Sequence, residues 1–110
     1  MSVSLQAWLA LLAAAVFEIG WPLGFKLSQT TANKPLWIGF AIVCMGLSGV
    51  LLWLAQRHIA IGTAYAVWTG IGAAGTFAIG VLWFGDVLSA GRFAGAALII
   101  AGVVLLKISE

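Results

Sequence analysis

Four long apolar segments occupy most of this chain and restrict what it can fold into. They lie at about residues 5–25, 36–55, 63–84 and 91–106, and charged or polar residues bound each of them. A helix rises about 1.5 Å per residue, so about 20 apolar residues cross a bilayer core that is about 30 Å thick. The fourth segment is near the short limit for a crossing. We therefore predict an all-α membrane protein, with residues 1–110 forming a single domain of four transmembrane helices.

The composition excludes several classes of protein. Hydrophobic residues make up 64% of the chain and charged residues only 7%, against roughly 25% charged residues in an average soluble domain. The segments leave no room for a soluble catalytic domain, and the sequence has no recognisable Ser-His-Asp, Cys-His or paired-carboxylate arrangement, so we expect no enzyme and no cofactor. The single Cys44 and the single His58 offer no metal cluster, and a net charge of +2 is too small to suggest nucleic acid as a partner.

One carboxylate, Glu18, lies inside the first apolar segment, roughly 12 Å along the helix before Lys26. We take Lys26 as the water-facing end, which places Glu18 near the middle of the membrane. A carboxylate at that depth costs on the order of 3 kcal/mol, and such residues usually face the bundle interior and bind ions, protons or cationic substrates. The alternative is a permanently protonated carboxyl group that anchors a hydrogen bond between helices.

Small and ring-constrained residues follow Glu18 in the same segment. Pro22 has no N–H, so the carbonyl of Glu18 loses its partner within the helix, which predicts a local bend at the acid. Gly20 and Gly24 have the small-xxx-small spacing that lets another helix approach closely. A kinked packing helix would show the same pattern.

The third segment carries two aromatic residues followed by glycines. Tyr65 and Trp68 are three residues apart on one helix face, and Gly70, Gly72 and Gly75 come just beyond them. This pattern favours a pocket wall beside a flexible turn, where each aromatic face would stabilise a desolvated cation by about 0.5 to 2 kcal/mol. Tyr65 is close to the predicted helix start and could instead be an interfacial anchor. Trp68 lies one turn deeper, so the pocket interpretation is favoured for it.

The fourth segment has small residues along one face. They are Gly91, Gly95, Ala97, Ala101 and Gly102. Helices associate in lipid through close packing, so this stripe indicates a helix contact, which is either an oligomer seam or packing within the monomer.

The loop charges are nearly balanced across the membrane. One face of the four-helix topology carries Lys26, Lys34 and Arg92, and the other carries Arg57 and Lys107. Orientation follows the bias of Lys and Arg in short loops, so we expect the chain to insert in both directions.

Two motifs make the sequence similar to a known family. The first is E-x-x-W-x-x-x-x-K, formed by Glu18, Trp21 and Lys26, and the second is IGTAYAVWTGIGA at residues 61–73. Together with the length and the number of helices, they resemble the small multidrug resistance family of four-helix exporters over nearly the whole chain. Within that family they look like the guanidinium exporter branch, because the quaternary-ammonium branch has no Trp at the position of Trp21.

The resemblance implies an antiparallel homodimer in the bacterial plasma (inner) membrane, joined through helix 4. Its two Glu18 carboxylates would form one central site, open alternately to each side and occupied by protons or by a small cation. Trp21, Ser48, Tyr65 and Trp68 would hydrogen-bond to the pair or wall it, with the Ser48 hydroxyl donating to a carboxylate oxygen.

The mechanism also follows from the chemistry of such a site. Two carboxylates in a desolvated cavity repel each other and disfavour ionisation until a cation replaces the protons. A planar guanidinium matches carboxylate in fork geometry, and a site that binds protons or cation but not both couples their opposite movement. We therefore expect a proton-coupled antiporter for guanidinium or small guanidinyl cations. The alternatives are an exporter of quaternary ammonium or other lipophilic cations and a non-transporting membrane subunit.

The sequence departs from the guanidinium branch at three positions. Ala15 stands where the branch usually has Gly, Pro22 where it commonly has Ala, and Ala60 where it usually has Pro. Ala15 adds a methyl group one turn from Glu18, and Pro22 changes the bend of the helix. We expect these two changes to shift the substrate range, with tolerance for one apolar substituent on guanidinium.

Overall fold

The computed structural model describes residues 2–110 and contains four helices. These are α1 (Val3–Thr30), α2 (Lys34–Ala55), α3 (Ile61–Trp83) and α4 (Ala90–Ile108). Each is long and apolar enough to cross a membrane, and residues 2–110 contain no strand. Helices satisfy their own backbone hydrogen bonds, which is what lipid requires of a spanning segment. The prediction of an all-α, four-span membrane protein is confirmed.

Side-chain caps define three of the four helix starts. The Ser2 hydroxyl accepts a hydrogen bond from the backbone N–H of Leu5, and the Ser89 hydroxyl accepts one from Arg92. The Asn33 side chain does the same for the first turn of α2. These oxygens satisfy N–H groups that have no partner within the helix, so the helix starts are defined by polar residues at the ends of the apolar segments.

The first helix extends beyond its apolar stretch. It continues through the polar residues to Thr30, whereas hydropathy placed its end near residue 25. The Ser28 hydroxyl donates to the Phe25 carbonyl at 2.6 Å, and the Thr30 hydroxyl donates to the Lys26 carbonyl at 3.1 Å. Such hydroxyl bonds to the preceding turn let polar residues remain helical. The change in hydropathy therefore marks the expected membrane boundary and not the end of α1.

The helices form a flat arrangement of 44 × 34 × 21 Å. Helix α1 packs against α2 and α3, and α3 packs against α4. Helix α4 packs mainly against α3, touches α1 near its end, where the Lys107 ammonium lies 4.9 Å from the Trp8 ring, and has no buried residue. It therefore forms one edge of the monomer, with most of its surface uncovered.

Glycines on α1 and α3 allow the close helix contacts. A Cβ atom on Gly24 would lie 2.9 Å from the carbonyl oxygen of Trp37 on α2, and one on Gly20 would meet the Cys44 side chain at 2.5 Å. A Cβ atom on Gly70 would lie 2.8 Å from Val103 of α4. The expected close approach at Gly20 and Gly24 is confirmed, and α2 is the helix that approaches.

The glycines of α4 behave differently. A Cβ atom on Gly91, Gly95 or Gly102 would meet nothing within 4 Å in the described part of the chain. These positions of the small-residue stripe are therefore not used for close packing within the monomer.

Candidate functional site

The Glu18 carboxylate is held by a tryptophan one turn along α1. The indole Nε1–H of Trp21 donates to Glu18 Oε1 at 2.6 Å, and both residues are half-buried. Residues three apart face each other on a helix, and an indole can only donate, so the contact orients the carboxylate through one oxygen. Among residues 2–110 the carboxylate accepts no second hydrogen bond, which leaves its other oxygen available to a ligand.

The opposite wall at Glu18 is a glycine of α3. A Cβ atom on Gly72 would lie 2.7 Å from Glu18 Cγ and 3.4 Å from Glu18 Cβ. One turn along, a Cβ atom on Gly75 would clash with Ile19. Glycine at these two positions lets α3 approach the acid-bearing turn of α1 closely enough to restrict where the Glu18 side chain can lie.

These glycines do not form the flexible turn that the sequence suggested. Helix α3 is continuous from Ile61 to Trp83 and runs through Gly70, Gly72 and Gly75. Glycine lowers helix propensity by about 1 kcal/mol relative to alanine, but tertiary packing overrides that preference here. The expectation of a turn was wrong. Because glycine has no side chain, α1 and α4 can pack closely against a continuous α3 at these positions.

A second hydrogen-bonded group joins α1, α2 and α3 next to the acid. Ser48 is 1% exposed, its hydroxyl donates to the backbone carbonyl of Ala14 at 2.7 Å, and it accepts from Trp68 Nε1 at 2.8 Å. Ala14 precedes Glu18 by one helical turn. These two hydrogen bonds hold the α1 backbone one turn before Glu18, through a serine that both donates and accepts a hydrogen bond.

The expected hydrogen bond from Ser48 to the carboxylate is not formed in this structure. The single hydroxyl proton of Ser48 is donated to the Ala14 carbonyl. A serine has one O–H donor, so it cannot make both contacts in the same conformation. Ser48 therefore acts here on the α1 backbone and on Trp68, and its link to Glu18 is indirect.

Tyr65 lies at the outer end of this group. Its ring centroid is 5.4 Å from that of Trp68, with a tilted geometry, and its side chain is 55% exposed. Trp68 is half-buried beneath it. The structure therefore brings the predicted residues together as two groups, Glu18 with Trp21 and Ser48 with Trp68 and Tyr65, without a direct hydrogen bond between the groups.

Comparison with known proteins gives the family. A family model described as Small Multidrug Resistance protein matches residues 6–99. The guanidinium exporter of Yersinia pseudotuberculosis is 39% identical over 105 residues, which cover 96% of this chain and all of the relative. This chain belongs to the small multidrug resistance family. Guanidinium exporters of Citrobacter freundii and Salmonella typhimurium are each 39% identical over 105 residues, covering 94% of this chain and 98% of each relative.

The resemblance identified from the sequence motifs is thereby confirmed. The relatives named above are exporters by name, and the four spans make this small multidrug resistance protein a multi-pass membrane protein. The matched part of the chain includes all five of the predicted site residues.

Two features of the site were missed in the sequence. The sequence pattern placed Gly72 in a turn, although its helical spacing from Gly75 could have indicated one packing face of α3. The carbonyl of Ala14 has no signal in the sequence, because every residue has a backbone carbonyl. Its role depends on the register of α2 against α1, which only the structure gives.

The two departures in α1 lie on either side of Glu18. Ala15 is fully buried, so its methyl group is packed inside the monomer. Pro22 lies within the continuous helix α1 and lines a cavity of about 200 Å³ with Ile19 and with the charged residues Lys26 and Asp86. In this small multidrug resistance protein, Pro22 therefore changes the wall of a cavity one turn beyond the acid.

Proposed function

We propose that the chain is a proton-coupled antiporter that exports guanidinium or small guanidinyl cations. It works as an antiparallel homodimer in the bacterial inner membrane, where two Glu18 carboxylates form one central site. Support comes from the family, from relatives named guanidinium exporters and from the geometry at Glu18.

The observation that carries the proposal is the 2.6 Å hydrogen bond from Trp21 to Glu18. It fixes one carboxylate oxygen while the other remains available. A guanidinium ion offers planar N–H donors that carboxylates accept in fork geometry, whereas a quaternary ammonium ion has no N–H and relies on aromatic faces. A preoriented carboxylate therefore favours the ligand that has donors.

Coupling follows from competition for the same oxygens. Two carboxylates in a desolvated cavity repel each other, so the pair is occupied either by protons or by a cation. If the dimer changes which side it opens to only when the site is occupied, an inward proton movement drives an outward movement of guanidinium.

The second copy is supported by α4 and by the loop charges. Helix α4 has no buried residue, and its three glycines have open space above them. A self-complementary contact through this face would close as a twofold dimer. The nearly equal numbers of Lys and Arg residues on the two faces suit insertion in both orientations, which an antiparallel pair requires.

Electrophysiology on proteoliposomes tests this function. Guanidinium should produce larger proton-coupled currents than tetraphenylphosphonium, and Glu18→Gln should abolish the guanidinium currents while the protein stays folded. Larger currents with tetraphenylphosphonium would assign the chain to lipophilic cations. Guanidinium currents that persist in Glu18→Gln would remove the acid from the mechanism.

Loss of folded protein in Glu18→Gln would point to a structural role for the carboxyl group. Removing a charge lowers the cost of inserting α1 into the membrane, so a transport role predicts normal protein levels. Lys34→Gln, which neutralises an exposed cation outside the site, is the matched control.

A further inference from the structure

A second cavity lies between α1 and α2 at the membrane face where α1 begins. It has a volume of about 250 Å³, and its lining consists of Gln6, Ala7, Ala10, Leu54, Arg57 and His58. The lining has two chemically different parts: three aliphatic side chains, which we call the floor, and three exposed polar side chains, which we call the rim. The proposed transport site contains none of these residues, and Arg57 enters the proposed function only as one of the loop charges that set orientation.

The cation at the rim has no acidic partner. The Arg57 guanidinium lies 4.7 Å from the ring centroid of Trp53. The salt bridge found within residues 2–110 joins Lys107 to Glu110 at the same membrane face. No carboxylate in this part of the chain therefore neutralises Arg57. An arginine beside apolar surface with no counter-ion is suited to an anionic ligand.

Trp53 indicates the depth of this cavity. Its side chain is 58% exposed and lies one turn before Arg57, at the end of α2. Tryptophans at span ends are typical of the headgroup region of a bilayer. Arg57 and its cavity are therefore expected at the level of lipid phosphates.

We propose that this cavity binds the headgroup of an anionic phospholipid. Arg57 binds the phosphate, the N–H groups of Gln6 and His58 supply further hydrogen bonds, and an acyl chain lies along Ala10 and Leu54. Arginine binds phosphate in fork geometry, and basic pockets between transmembrane helices are suited to acidic lipid headgroups.

The position of the cavity separates it from the transport site and from α4. Ala10 precedes Glu18 by eight residues, roughly 12 Å along the helix. At about 100° per residue, Gln6 and Ala10 lie on the opposite side of α1 from Trp8, whose indole donates to Glu110 beyond the end of α4. A partner docked on α4 leaves this cavity uncovered, and the positive rim repels a cationic substrate.

Native mass spectrometry of the detergent-purified protein tests the proposal. Phosphatidylglycerol should bind more tightly than phosphatidylcholine, and Arg57→Gln should weaken phosphatidylglycerol binding by at least about fivefold. Lys34→Gln is the matched control, since Lys34 is an exposed cation at the opposite membrane face, and it should change the affinity less than twofold.

Two further arms distinguish a lipid site from a simple anion site. Ala10→Leu fills the aliphatic floor and keeps Arg57, so it should also weaken phosphatidylglycerol binding. Inorganic phosphate should compete poorly, because it lacks acyl chains. Ala10→Leu removes no polar group and tests the same proposal if Arg57→Gln fails to fold, as judged by size exclusion and circular dichroism.

Three results would overturn the proposal. The first is equal phosphatidylglycerol affinity in the wild type and in Arg57→Gln. The second is equal weakening by Arg57→Gln and Lys34→Gln, which would indicate nonspecific charge attraction. The third is unchanged affinity in Ala10→Leu together with full displacement of the lipid by inorganic phosphate.

Discussion

Replacing Gly72 with alanine should displace the Glu18 side chain and weaken guanidinium binding. The added Cβ would lie 2.7 Å from Glu18 Cγ, whereas carbon atoms pack at about 3.5 to 4.0 Å. The Glu18 methylene group must therefore move by about 1 Å. Binding groups need to be held within roughly 0.5 Å of their productive geometry, so the hydrogen bond from Trp21 and the carboxylate position would both be disturbed.

The expected size of the effect follows from overpacking. Adding a carbon to a packed interior typically costs about 1 to 3 kcal/mol. If most of this strain is carried by the Glu18 side chain, guanidinium affinity should fall by a factor of about 10, which corresponds to about 1.4 kcal/mol. Isothermal titration calorimetry of the purified protein measures that change.

Gly62→Ala is the matched control for Gly72→Ala. Gly62 lies on the same helix, and a Cβ atom added there would meet nothing within 4 Å, so alanine at this position should leave guanidinium affinity unchanged. A folded Gly72→Ala protein that binds guanidinium as tightly as the wild type would refute the reasoning. Equal losses in both variants would show that α3 responds to any added side chain.

Three other changes should have distinct effects. Trp21→Gly removes the N–H that orients Glu18, so the ratio of guanidinium to tetraphenylphosphonium currents should fall. Ser48→Ala removes a buried hydroxyl with two hydrogen bonds and should destabilise the protein by on the order of 1 to 3 kcal/mol in thermal unfolding. Thr69→Ala, which removes a half-buried hydroxyl that bonds only within α3, should cost less. The hydrogen bond from Lys107, with a smaller contribution from Trp8, lowers the pKa of Glu110. The ionised Glu110 therefore stabilises the folded protein above the ordinary carboxyl pKa, and this stabilisation is lost as the pH falls. Glu110→Gln should reduce the acid dependence of thermal stability.

The number and type of helices could be predicted because lipid leaves few options. A spanning segment must satisfy its own backbone groups, so length and hydropathy were enough to find α1 to α4. The end of α1 could not be found in this way. Ser28 and Thr30 are polar, yet their hydroxyls bond to the preceding turn and keep the chain helical to Thr30.

Contacts within one helix turn were also accessible from the sequence. Glu18 and Trp21 are three residues apart, and that spacing alone predicts that their side chains face each other. The partner of Ser48 was not accessible, because it depends on how α2 and α1 align and on a backbone carbonyl. The sequence also does not show which glycines of α3 and α4 pack against another helix. A Cβ atom on Gly70 or Gly72 would meet a neighbouring helix, whereas one on Gly95 would meet open space.

Proton release on guanidinium binding tests the central claim most directly. Purified protein in weakly buffered detergent is mixed with guanidinium at a series of pH values, and a pH indicator reports released protons. The wild type should release protons as guanidinium binds, and binding should strengthen as the pH rises, because the cation requires ionised carboxylates. Glu18→Gln should neither bind guanidinium nor release protons. Tight guanidinium binding by the wild type without proton release, or unchanged release in Glu18→Gln, would contradict exchange at Glu18.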